Sequence, residues 1–109
     1  MNSITVETKD KTSIIHLQGR LDNSNSAEFE EAVRQSLEGG PGKVIMHMEK
    51  VGFMSSAALR VILILMKGAK AADAPVLVAA ASDNINEIFR ISGFQSVITS
   101  VPTLEEALR

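Results

Sequence analysis

The 109-residue chain has no cysteine, no tryptophan and no tyrosine, and only two histidines, His16 and His47. Without cysteine there can be no disulfide, no thiolate nucleophile and no cysteine-ligated metal. Two histidines are too few for a histidine-rich metal cage, so no metal and no cofactor are expected. An excess of positive charge is lacking too. Eleven Lys and Arg stand against 13 Asp and Glu, a formal net charge of −2, which excludes the strongly basic surface on which nucleic-acid binders depend. Long hydrophobic runs are missing. The most apolar stretch, Ala57 to Met66, is interrupted by Arg60 and falls well short of the roughly 20 residues a membrane span requires. The start, MNSITVETKD, has no basic residues leading into an apolar run, so no signal peptide is expected. What is present is 45% hydrophobic and 22% charged, the balance of a globular chain. Its length fits one domain over residues 1–109. The expectation is a single cytoplasmic domain with neither nucleic acid nor membrane as partner.

The pattern along the chain predicts alternating strands and helices. Ile4, Val6 and Thr8 alternate with Thr5 and Glu7, and Lys9-Asp10-Lys11 makes a polar turn into a second strand, Ser13 to Leu17. Gly19 to Asn25 is rich in turn and cap formers and is predicted to be a loop. A helix opens near Asn25 or Ser26, with Glu28, Glu30 and Glu31 in its first turns, where carboxylates suit the helix dipole. Ala27, Phe29, Ala32, Val33 and Leu37 form its expected buried side, and Gly39-Gly40-Pro41-Gly42 ends it. Lys43 to Met48 is predicted as the third strand and Glu49 to Met54 as a short loop. The second helix opens at Ser55 or Ser56 and runs to about Ala72. Its charged residues, Arg60, Lys67 and Lys70, share an arc of roughly 80°, so the rest of its circumference is expected to be buried. Val76 to Ala80 reads as a strand covered on both faces. Ser82 caps a third helix that stops at Gly93, Val97 to Thr99 is a last strand, and Thr103-Leu-Glu-Glu106 is a capping box. The order β-β-α-β-α-β-α-β-α implies an α/β domain with a mixed, mostly parallel sheet, about four helices and the first strand at an edge.

Motifs of catalysis are scarce. GxSxG, GxGxxG and a Walker loop are all missing, and Gly39 to Gly42 ends a helix instead of opening one. His16 and His47 sit inside strands and have no serine or carboxylate at a triad-like spacing, so a structural or solvent-facing role is expected of each. One segment carries more: Val51-Gly-Phe-Met-Ser-Ser-Ala-Ala-Leu-Arg60. Two hydroxyls stand where a strand feeds the most apolar helix. A helix cap needs only one serine. The second would face outward among amides that favour an anion, and a phosphate there would add about −1.5 to −2 charges without melting the helix. The residues alone leave cap and switch both open.

VGFMSSAAL, together with the upstream GRLDNSNSAEFEEAV and the downstream SDNINEIFRISGF, resembles a STAS domain, and more narrowly a stand-alone anti-sigma factor antagonist. The resemblance runs through the whole chain. It implies that Ser56 is a phospho-acceptor, with Ser55 in the place of the family's aspartate, Leu59 as the motif leucine and Asp22 as the loop acid beside the site. Three positions depart from the family pattern: Ser55 replaces an acid and becomes a rival acceptor, Ala58 replaces glycine, and His47 stands where the strand commonly ends in aspartate.

The function this resemblance implies is partner switching without catalysis. The unphosphorylated chain would bind a GHKL-type anti-sigma factor with serine-kinase activity through Asp22, Asn23, Ser24, Met54, Ser55 and Ser56, with Arg60 and Lys67 alongside. Phosphorylation would place a dianion in that interface and release the partner, and a PP2C-type phosphatase would reset the chain. A non-phosphorylated STAS scaffold, such as a subunit of a sensory or transport assembly, is the second expectation. A hydrolase using Ser55 or Ser56 ranks behind both, because no histidine is placed to activate either hydroxyl.

Overall fold

The computed structural model describes residues 2–109. Strands β1 (Ser3–Lys9) and β2 (Thr12–Leu21) form an antiparallel hairpin, and three strand–helix units follow. These are α1 (Ser26–Leu37) with β3 (Lys43–Met54), α2 (Ser56–Ala71) with β4 (Val76–Ala79), and α3 (Asp83–Ile91) with β5 (Thr99–Val101). The chain closes with α4 (Leu104–Ala107). In the sheet the strands lie in chain order, β1-β2-β3-β4-β5, with every pair after the first parallel.

That order decides which face is covered. Right-handed crossovers that all advance in one direction set their helices on one side of the sheet. The main core accordingly gathers Phe29 and Val33 of α1, Ile62 and Leu65 of α2, and Ile85 and Phe89 of α3. They pack against Ile15, Leu17, Val44, Met46 and Val78 of the sheet, all buried. The opposite face holds a smaller cluster, Ile14, Ile45 and Ala79, closed over by Ala107 of the terminal helix. β4 is thus apolar on both sides, as its sequence predicts, whereas among the described residues no helix covers the β1–β3 end of that second face.

Several boundaries move from their predicted places. β2 runs on through Gly19-Arg20-Leu21, and β3 through Glu49 to Met54, because the two pair with each other that far: Gln18 with Lys50, Gly19 with Val51, Arg20 with Phe53, Leu21 with Met54. Two register shifts, at His16/Gln18 and Gly19/Arg20, interrupt the alternation that a sequence pattern relies on. In α1, Ala27 is exposed and Leu37 only half-buried. The buried Ser36 takes the vacated place in the pattern, with its carbonyl accepting from Ser13 Oγ at 2.6 Å and its hydroxyl donating to the Val33 carbonyl at 2.7 Å. α2 is less buried than its composition predicts: Leu63 and Ile64 are each 39% exposed, on the side of the helix turned away from the sheet core. The last strand starts two residues later than expected, at Thr99, because Phe94–Ser96 forms a 3-10 turn. The capping box at Thr103 forms, its hydroxyl accepting from Glu106 N at 3.1 Å.

Candidate functional site

The two serines at the start of α2 divide their work. Ser55, in extended conformation, is the N-cap, and its Oγ accepts from Ala57 N at 3.2 Å and Ala58 N at 3.5 Å. Ser56 is the first helical residue and lies exposed. Behind them Ala57 and Ala58 are buried, so the methyl of Ala58 points into the core and takes no room at the surface. Arg60, Leu63 and Lys67 follow Ser56 on the exposed side at the i+4, i+7 and i+11 spacing of one helix face. Lys67 lies roughly 16 Å along the helix from Ser56, so Arg60 is the basic neighbour of that hydroxyl and Lys67 stands three turns away.

The β2–α1 loop is held beside this helix mouth. Leu21 pairs with Met54, and Ser55 N donates to the Leu21 carbonyl at 2.9 Å. Asp22 and Ser55 therefore leave adjacent parallel strands at the same end of the sheet. Asp22 Oδ1 accepts from both Ser24 Oγ at 2.6 Å and Ser24 N at 2.9 Å. These bonds, with Arg20 at 3.5 Å from Oδ2, hold the Asp22 carboxyl below its ordinary range, the Ser24 hydroxyl contributing most. Asn25, nearly buried, locks the loop with its side chain. Its Oδ1 accepts from Asp22 N at 3.0 Å, and its Nδ2 donates to the Arg20 carbonyl at 2.8 Å. The Arg20 guanidinium lies 4.3 Å from the centre of the Phe53 ring.

Of the residues predicted from sequence, Asp22, Asn23, Ser24, Ser55, Ser56 and Arg60 thus gather at one end of the molecule. Met54 is a correction. It is 4% exposed and belongs to the core, because it ends β3 on the side turned toward the helices, and it has almost no side-chain surface for a partner. His47 also differs from its expected setting: β3 continues seven residues past it, so it lies in mid-strand and not at a strand end beside the site. Arg20, Asn25 and Phe53 were not singled out from sequence. The Asx-type turn signal in this loop belongs to Asp22, whose carboxylate accepts from Ser24 N two residues on. The Asn25 lock reaches back to Asp22 N and the Arg20 carbonyl, and the Arg20–Phe53 contact depends on a register that no local pattern states.

Among the described residues no helix is long and apolar enough to cross a membrane, and no three His, Asp or Glu side chains converge to hold a metal.

The family model for the STAS domain matches residues 3–107. A Bordetella bronchiseptica protein named as an anti-sigma factor antagonist, BtrV, is 26% identical over 104 residues, which cover 95% of this chain and 90% of that protein. A Thermotoga maritima structure described as an anti-sigma factor antagonist superposes with a TM-score of 0.87 at 17% identity, covering 96% of this chain and 91% of its own. The Bacillus cell-fate determinant SpoIIAA in its phosphorylated form superposes with a TM-score of 0.69 at 24% identity, covering 97% and 96%.

Proposed function

Because this chain belongs to the STAS domain family, we propose that it is an anti-sigma factor antagonist that works by partner switching. Unphosphorylated, it binds a GHKL-type anti-sigma factor kinase through the Asp22–Ser24 loop, Ser55, Ser56 and Arg60, with Lys67 at the far end of the same helix face. The kinase transfers a phosphoryl group to Ser56 Oγ, and the chain dissociates. A PP2C-type phosphatase removes the phosphate, and the chain itself supplies no catalysis. Its place of action on this account is the cytoplasm.

The observation that carries this proposal is the division of labour at the mouth of α2. Ser55 satisfies the first free amides, so modifying Ser56 leaves the cap in place. Ser56 is exposed at a helix N-terminus, where the dipole tolerates a dianion, so the charge alters the docking surface and not the fold. The same geometry accounts for the departures from the family pattern. Serine caps a helix about as well as aspartate, which makes Ser55 an adequate replacement for the acid. The Ala58 methyl is buried at 1% exposure and obstructs no approaching partner. Burying a phosphate against partner carboxylates at a cost of about 4 kcal/mol would lower affinity by roughly a thousandfold.

The test uses the full chain with a GHKL-type kinase and ATP. Intact mass should gain one phosphate, Ser56→Ala should abolish the gain and Ser55→Ala should not. A pull-down should retain the kinase on wild type and lose it on Ser56→Asp. Equal retention by wild type and Ser56→Asp, with no phosphate gained, would overturn switching and leave a scaffold.

A further inference from the structure

The two histidines, unremarkable in sequence, are brought together by strand register. His16 is the cross-strand partner of His47 in the parallel β2–β3 pair, on the sheet face opposite the three crossover helices. Their Nδ1 atoms lie 3.0 Å apart, with the rings edge to face and centroids 5.2 Å apart. Each far nitrogen meets a carboxylate: His16 Nε2 is 2.8 Å from Glu7 Oε1 of β1, and His47 Nε2 is 3.5 Å from Glu49 Oε1. The side chains are 32% and 22% exposed and line a groove of about 210 Å³ with Ser3, Thr5, Gln18 and Lys50.

An ionised carboxylate can only accept hydrogen bonds. Glu7 therefore selects, on the His16 ring, the tautomer with its proton on Nε2, so that His16 Nδ1 accepts from the Nδ1–H of His47. That leaves two Nδ1 atoms 3.0 Å apart with one proton between them, a proton that a divalent cation binding both nitrogens would displace. For His16 it is the arrangement in which proteins support a metal-bound imidazole, with the far N–H held by a carboxylate and the near nitrogen directed at the site. Only two such nitrogens converge, so water must complete any coordination sphere. Nitrogens 3.0 Å apart, each about 2.0–2.1 Å from a metal, subtend roughly 94° at it once both rings turn from each other toward the ion. That angle suits the right-angled ligands of a tetragonal ion better than a tetrahedron.

We propose that His16 and His47 form a two-imidazole site for a tetragonal divalent transition-metal ion of the copper(II) and nickel(II) class, with Glu7 as a positioning residue. Glu7 and Glu49, beside the two rings, supply negative charge that favours a cation. The ion ties β2 to β3 at the first register shift, and through Glu7 it engages the edge strand β1. No residue is shared with the Ser56 surface, so the two proposals succeed or fail separately.

The experiment uses the untagged 109-residue chain, whose only imidazoles are these two, titrated with copper(II) chloride in the presence of glycine as a weak competitor. One equivalent should bind, its electron paramagnetic resonance spectrum should show coupling to two imidazole nitrogens, and the melting temperature should rise. His16→Gln and His47→Gln should each lower affinity at least tenfold and remove the two-nitrogen pattern, and Glu7→Ala should weaken binding about tenfold. Metal-free melting of each variant reports separately on the fold. Copper binding that survives in the double histidine variant, or no saturable binding by wild type, overturns the site and leaves a pair that shares only a proton.

Discussion

Ser55 and Ser56 are neighbours with opposite duties, and substitutions should separate them. Ser55→Ala removes the cap of α2 and should cost about 1 kcal/mol, read as a fall in melting temperature of about 4 °C or more. Ser56→Ala should leave melting almost unchanged while abolishing modification. Asp22 gives a second prediction. Its folded carboxyl titrates below the ordinary 3.8, chiefly because of Ser24. A depressed carboxyl contributes stability that is present above its unfolded value and lost as pH falls through its folded one, so this contribution disappears only in acid, below about pH 4. Ser24→Ala should move the Asp22 titration back up toward 3.8, measured by carboxyl NMR. At this scale the sequence was legible where one residue acts on its immediate neighbours. The serine pair and the Asp22 loop were visible in that way. Met54 was misplaced because its burial depends on which way a bulged strand turns, and the histidine pair escaped notice because its members are 31 positions apart.

Periodicity was enough to find the four α-helices and the four-residue β4, since each has caps or stops that act locally, but not the 3-10 turn at Phe94–Ser96. It failed at the ends of β2 and β3. Gly19, Asp22, Asn23 and Ser24 carry turn propensity, yet pairing with β3 keeps the backbone extended up to Leu21. Gly19 makes this possible with a φ of +91°, a conformation in which a side chain is strained. Gly19→Ala should therefore destabilise the protein by about 1–3 kcal/mol, seen in chemical denaturation, and should loosen the Asp22 loop, seen as a change in the Asp22 titration. α2 erred the other way: an almost wholly aliphatic composition predicted deep burial, but the side turned away from the sheet core is left uncovered. Leu63 and Ile64 occupy that side.

For the molecule as a whole, protection should follow position in the sheet. Amides of β3, bonded on both sides and covered by the main core, should exchange with solvent most slowly. Those of β5, three residues long at an edge, and of the one-turn α4 should exchange fastest, which hydrogen-exchange NMR would rank directly. At its other edge, β1 is exposed at Glu7, Thr8 and Lys9, the charged composition that discourages pairing between molecules. The succession of strands in chain order carries a further consequence for biogenesis. As the nascent polypeptide leaves the ribosome, each new strand meets a free rim of the sheet already made and never has to slip between two finished ones. Assembly can therefore proceed vectorially from the hairpin onward, with every loop closure short and each added unit stabilised as soon as it emerges.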